Sequence, residues 1–370
     1  QKTGYEISSG KYLLNILFLI MNKINKAEKK ALLAKKVEHI DITKHDTRDL
    51  VKAMSKMSFS ARDLARASEI YDLMLRDKDS TVILSLAGST SAAGCMRIYT
   101  DMIRFNMVDA IVSTGASVID MDFFEALGFN HYQGDAKESD AKLRKLYIDR
   151  IYDTYIDEEE LQICDITIKE IADSLEKRPY SSQEFIWEMG KWMSNNPKRV
   201  KKADSLIQLA YEYNVPIFCP AFSDCSAGFG LVSHQISNPD SYLSIDSVKD
   251  FHDLTKIKMV AGNTGVLYIG GGVPKNFTND IIICAEILGT NVPMHKYTVQ
   301  LTVADERDGA LSGSTLKEAH SWGKVGLTYE QMVFSEATLS LPILAAYGYH
   351  SGGWKKRKRR NYNNLLKAKS

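Results

Sequence analysis

Apolar residues recur along this chain at two different spacings, and the switches between them mark out its elements. Over 48–76 they return every three or four positions, through LVKAMSKM and ARDLARASEIYDLMLR, which predicts helices with one buried face. At 80–86 the spacing gives way to a β-branched run, STVILSL, that stops in Ala87, Gly88, Ser89, Thr90 and Ser91. A helical stretch covers 92–109, and a second short strand, AIVS at 110–113, again ends in small residues, Thr114, Gly115, Ala116 and Ser117. Strand, small-residue turn, helix, strand, small-residue turn is the rhythm of a parallel βαβ unit.

Further strands are predicted at 215–218, 266–269, 297–303 and 331–334, the second of these running into Gly270, Gly271 and Gly272. An apolar helix is predicted at 339–347. The charged stretch 135–199 reads as mostly helical, with the acidic run 157–160 on the solvent surface and without a functional role. No internal repeat is evident. This rhythm predicts an α/β fold with a doubly wound, mostly parallel sheet and helical additions. It spans 46–350 as a single domain, between an N-terminal extension at 1–45 and a basic tail at 351–370. The apolar run at 12–21 is about half a membrane span, and Met21 is read as the start of the fold, with the first twenty residues outside it. The tail, WKKRKRRNYNNLLKAKS, is expected to be solvated and frayed, with binding to an acidic partner as the lesser alternative.

Composition narrows the function classes. The chain has 370 residues, 44% hydrophobic and 25% charged, ordinary for a soluble globular protein. Lys plus Arg number 47 against 46 for Asp plus Glu, a formal charge of +1, so nothing draws the whole molecule to nucleic acid or an acidic membrane. The five cysteines are scattered, without a CxxC or a histidine at ligand spacing. They read as reduced thiols of a cytoplasmic protein with no metal site.

In a doubly wound sheet, ligands bind at the C-terminal ends of the strands. The small residues cluster there, where bare backbone can approach a pyrophosphate. None of the turns is a GxGxxG fingerprint. Asp120 and Asp224 accompany two of them and would hold ribose hydroxyls or an ammonium group, or cap the next helix. The segment 303–326 places Asp305, Glu306, Asp308 and Glu318 beside Trp322 and Lys324 in a loop rich in Gly and Ser. Carboxylates beside an aromatic face suit a polyamine. A lysine there serves as a nucleophile once its amine is uncharged.

Ser321, Trp322, Gly323 and Lys324 resemble the active-site motif of the deoxyhypusine synthase family. Blocks similar to that family follow in its order: FSARDLARA (59–67), NMVDAIVSTGA (106–116), RPYSSQEF (178–185), VPIFCPAFSD (215–224), IGGGVPKNF (269–277) and EATLSLPIL (336–344). The resemblance implies a Rossmann-like NAD-binding fold and a homotetramer with active sites between paired subunits. It also implies a reaction in three parts. NAD takes a hydride from spermidine, giving an imine and releasing diaminopropane. A lysine captures the butylamine group as an enzyme imine. A lysine on a translation initiation factor then receives it, and the hydride returns.

By the same resemblance, Lys324 is the capturing lysine, with Trp322, Glu318, Asp308, Gly309 and Asp120 as amine-pocket residues. Gly88, Ser89, Thr90, Ser91, Ala92, Thr114, Gly115, Ala116, Asp120, Asp224, Gly271, Val303, Ala304, Glu336 and Ala337 fall where the family contacts NAD. Four positions depart from its pattern: Ile119 and Leu311 replace acids, Phe229 replaces an amine-binding aspartate, and Asn276 replaces a histidine. Each lost partner leaves a cationic group of spermidine short of neutralisation, at roughly 1–3 kcal/mol apiece. The departures place the chain nearer the prokaryotic, deoxyhypusine synthase-like branch. They keep a homospermidine synthase-like alternative open, in which putrescine or another small amine is the acceptor. A non-catalytic NAD- or polyamine-binding subunit is a third alternative, and retention of the Lys324 motif argues against it.

Overall fold

A computed structural model describes residues 25–201 and 204–367. The apolar run at 12–21 and the start proposed at Met21 lie outside the described residues. Six parallel strands form the central sheet: β1 (Thr81–Leu86), β2 (Ala110–Ser113), β3 (Ile217–Phe218), β4 (Thr264–Ile269), β5 (His295–Thr302) and β6 (Val325–Phe334). Their spatial order is β6-β5-β4-β1-β2-β3. The chain therefore winds outward from β1 to one edge, returns to β4, and winds outward to the other. Every residue of β1 and of β4 is buried, as expected for strands covered on both faces, and this is why their sequences read as continuous apolar runs.

The α/β, doubly wound expectation holds, with all six strands parallel. Two local expectations need correction. The stretch read as mostly helical opens with a three-stranded antiparallel sheet of Tyr132–Gln133, Ile148–Ile151 and Thr154–Asp157. Leu143, Leu146, Ile148 and Tyr155 give it a small core of its own. The acidic run beyond it is half-buried rather than free. Asp157 caps the helix Glu158–Ser174 by accepting from the N–H groups of Glu159 and Glu160. Asp157 and Glu159 together bind the Lys29 ammonium, each at 2.7 Å.

The basic tail is the larger correction. Helices α1 (Phe59–Arg76) and α2 (Met96–Arg104) end near the N-terminal edge of the sheet, and the tail straps across that edge. Arg357 pairs with Asp109, the two side chains 3% and 0% exposed, and donates to the carbonyls of Ser80 and Asn106. Arg359 donates to the carbonyls of Ile103 and Arg104, and Arg360 to that of Lys78. The Tyr362 hydroxyl meets Thr81 Oγ1 at 2.6 Å. The tail is ordered because its guanidinium groups pair with Asp109 and donate to carbonyls in the turn after α1 and at and just beyond the C-terminal end of α2.

Further along the same edge, Lys258 lies wholly buried on a helix at Ser247–Ala261. Its Nζ donates to the Gly262 carbonyl and to Thr264 Oγ1. Burial pushes its ammonium down to about 7 from 10.5. Between those values the unfolded chain binds the extra proton, so stability should rise with pH across that window. Lys258→Met should flatten this rise, as read by urea unfolding at its two ends; parallel rises in both proteins would contradict the assignment.

Candidate active site

Register brings the strand ends level. Leu86 pairs with Ser113 on one side and with Ile269 on the other, so the turns that follow β1, β2 and β4 emerge side by side. Because the chain leaves β1 and β4 in opposite directions, a crevice opens between them. Gly88 lines it with φ +82°, and a Cβ there would meet nothing within 4 Å, so bare backbone faces free space. The Ser117 hydroxyl donates to the Gly88 carbonyl, and the Ser91 hydroxyl to the Ser117 carbonyl, which ties the first two turns together. At Gly271 a Cβ would lie 2.5 Å from Ser312 Cα, so the acidic loop packs directly on the third turn.

The residues expected to contact a dinucleotide all come to this one edge. Gly88, Ser89, Thr90, Ser91 and Ala92 follow β1; Thr114, Gly115 and Ala116 follow β2; Asp224 follows β3. Gly271 follows β4, Val303 and Ala304 follow β5, and Glu336 and Ala337 follow β6. Ala92 is buried, and Gly115 backs onto the Cys225 thiol, so these two shape the wall from behind.

Asp120 serves as a cap, but for a helix distant in sequence. It accepts the Ser226 N–H at 2.7 Å, at the start of the helix Ser226–Ser237. Burial raises its carboxyl to about 6 against the pull of the Ser226 bonds. Asp165, on the helix Glu158–Ser174, is raised to about 6 by the same cause and shares Ser226 with it. Asp224 is exposed on the turn before that helix.

Lys324 lies elsewhere. Val325 pairs with His295, the first residue of β5, whereas Thr302 pairs with Phe334 at the far end. Lys324 therefore stands at the N-terminal edge of the sheet, a strand length of roughly 23 Å from the level of the crevice. Its Nζ is 2.5 Å from Asp280 Oδ1 and 5.2 Å from the Trp322 ring centre, with the side chain 13% exposed. Asp280 sits on the helix Gly272–Ile287, and Asn276, one turn earlier, donates its amide to the other carboxylate oxygen at 2.8 Å.

The amine-pocket residues are thus divided. Trp322 and Lys324 stand together. Glu318 is exposed in the first turn of the short helix Leu316–Ser321, where it forms a capping box with Thr315. Asp308 accepts the Ala310 N–H, and Gly309, at φ +73°, closes the turn Glu306–Asp308 within the acidic loop. Lys275, wholly buried, holds that loop by donating to Gln300 Oε1 and to the carbonyls of Leu311 and Ser314. Of the four departures, Ile119 is a core residue, Phe229 and Leu311 are exposed, and Asn276 orients Asp280.

Asp280, Asp165 and Lys275 were not singled out from the sequence. The i, i+4 spacing of Asn276 and Asp280 is a visible helical pair, but its link to Lys324 is tertiary.

Comparison with known proteins agrees with this architecture. Residues 49–348 match the family described as deoxyhypusine synthase. The chain is 63% identical over 342 residues to a deoxyhypusine synthase-like protein of Coxiella burnetii, covering 92% of this chain and 97% of the relative. It is 59% identical over 342 residues to one of Caulobacter vibrioides, covering 92% and 93%. A crystal structure from Entamoeba histolytica, provisionally named a deoxyhypusine synthase, shares the fold. Its TM-score is 0.56 at 18% identity, over 88% of this chain and 99% of its own.

Proposed function

The chain belongs to the deoxyhypusine synthase family, and from that premise we propose that it transfers the 4-aminobutyl group of spermidine, through an imine on Lys324, to a lysine of a translation initiation factor. The surroundings of Lys324 carry this reading: a largely buried amine, paired with one carboxylate and flanked by a tryptophan face.

A lysine attacks carbon only after giving up a proton. Asp280, at 2.5 Å, is the acceptor already in place, and Asn276 keeps its carboxylate turned toward the amine. As the lysine nitrogen bonds to the imine carbon of oxidised spermidine, the diaminopropane nitrogen leaves that carbon. Asp280 returns the proton to it. The cationic lysine imine then occupies the place of the ammonium, beside the same carboxylate and within reach of the Trp322 ring.

The crevice suits a dinucleotide: it lies at the switch point of the sheet, its first turn is bare backbone, and hydroxyls and carboxylates surround it. Gly88, Ser89, Thr90, Asp120 and Asp224 would hold NAD, which supplies a hydride acceptor when bound.

Crevice and lysine stand at opposite edges of one chain, so the reaction centre is completed between two copies, the crevice of one facing the Lys324 edge of the other. Exposed apolar groups at both places support this: Phe229, Val232 and Ile236 on the helix that starts beside Asp120, and Trp322 and Leu327 beside Lys324. Lys324→Ala and Gly88→Glu should each be inactive alone. When the two are refolded together, roughly a quarter of wild-type activity should return, since half of random pairs are mixed and each carries one intact site. Verified mixed oligomers without activity would sink the shared site.

Phe229 and Leu311, apolar and exposed where the family carries acids, favour a second reading in which a small diamine is the acceptor. Incubation with spermidine, NAD and putrescine, with and without the translation factor, separates the two. Labelled factor supports the protein acceptor; free homospermidine supports the diamine.

A further inference from the structure

Three contacts close a ring around Lys324. Its amine meets Asp280 on the helix Gly272–Ile287. Its carbonyl accepts the N–H of His295 at 3.0 Å. The His295 ring returns to that same helix, with Nε2 3.2 Å from the carbonyl of Thr278, two residues before Asp280.

The ring's hydrogen can be placed by elimination. A carbonyl only accepts, so Nε2 carries the hydrogen. Burial pushes the imidazole down to about 3, so the ring is neutral and Nδ1 accepts. The Thr264 hydroxyl, 2.7 Å from Nδ1, gives it its single hydrogen, and Thr264 Oγ1 accepts in turn from Lys258 Nζ at 3.0 Å. Lys258, Thr264, Thr278 and His295 are all wholly buried, so water cannot stand in for any of them.

We infer that His295 is a positioning residue for Lys324. Its own N–H fixes the lysine's main chain and its ring fixes the helix that carries Asp280, while Thr264 and Lys258 select the tautomer that makes the second contact. Amine and proton acceptor are thereby held in register from both sides. The inference rests on the nucleophilic reading of Lys324 given above.

His295→Leu, His295→Gln and Thr264→Val test it, because glutamine can offer Thr278 an amide N–H while leucine cannot, and valine removes the tautomer-setting hydroxyl at constant shape. With spermidine and NAD, the borohydride-trapped adduct on Lys324 should form about tenfold more slowly in the Leu and Val variants, in line with a sub-ångström misplacement. The Gln variant should recover most of the rate. Without NAD or amine substrate, acylation of Lys324 by an amine-directed reagent, followed by mass spectrometry, should run the other way: several-fold faster in Leu and Val as the amine leaves Asp280, and restored in Gln.

Wild-type adduct and acylation rates in folded His295→Leu and Thr264→Val would overturn the inference, as would a Gln variant no better than Leu. If even the wild-type chain traps no adduct, the transfer reading fails, while the acylation series still decides whether His295 positions the lysine.

Discussion

Lys324→Ala should lose the borohydride-reducible adduct with oxidised spermidine altogether, and aminobutyl transfer should fall on the order of 10³-fold or more, as when other covalent nucleophiles are removed. NAD binding should be nearly unchanged, because the groups proposed to hold the dinucleotide are those of the crevice turns, and the lysine is not among them. Lys324→Arg should be as inactive: it keeps the positive charge beside Asp280 but cannot form the imine. Asp280→Asn should retain a residual rate, since it keeps the shape of the site and loses only the proton acceptor. Adduct mass on the Lys324 peptide, with NAD affinity measured in parallel, checks all three. Undiminished transfer by Lys324→Ala would end the proposal and would leave a binding role for the crevice.

The second large effect is on stability. Arg357→Ala should lower the free energy of unfolding by about 3–5 kcal/mol, the range for a buried ion pair broken on one side. The loss is large because Asp109 is left in the interior without its partner, and the carbonyls of Ser80 and Asn106 lose their donor. The paired replacement Arg357→Met with Asp109→Leu should recover much of the loss by removing both charges. Guanidinium unfolding of the single and double variants measures this. A single variant within 1 kcal/mol of wild type (a small effect on the usual scale of point substitutions) would return the tail to the frayed state expected from its composition.

That mistake is instructive about what a sequence can carry. The run 355–360 holds six consecutive basic residues, and charge density alone makes it look solvated. Its partners are one distant carboxylate, Asp109, and main-chain carbonyls in and near two helix-to-strand turns, and a carbonyl has no signature in the sequence. The parallel strands were legible because β1 and β4 are buried on both faces, which leaves unbroken apolar runs. Most of β6 was not: between the buried Val325 and the buried pair Met332 and Val333 its residues are half-buried or exposed, and the stretch GLTYE alternates too weakly to stand out. The hairpin at Ile148–Asp157 was hidden in the same way, its apolar positions diluted by Asp149, Arg150 and Asp153.

The candidate site divides along similar lines. The crevice turns could be found because small residues after strands recur at fixed places, and the Lys324 motif could be found by resemblance. That the two lie at opposite edges follows from the pairing of Val325 with His295, a fact of register. Asp280 escaped notice because a single acid within a helix is ordinary, and only the fold sets it against the lysine.

The Arg357–Asp109 pair joins residues 248 positions apart. A nascent chain emerging from the ribosome presents Asp109 early, immediately before β2, a strand one in from the edge of the sheet, and cannot pair it until Arg357 has cleared the exit tunnel. The first βαβ unit therefore cannot make all of its final contacts while the rest of the chain is still being synthesised. Until then the half-made sheet depends on whatever shields that carboxylate in the meantime, whether a proton, water or a chaperone.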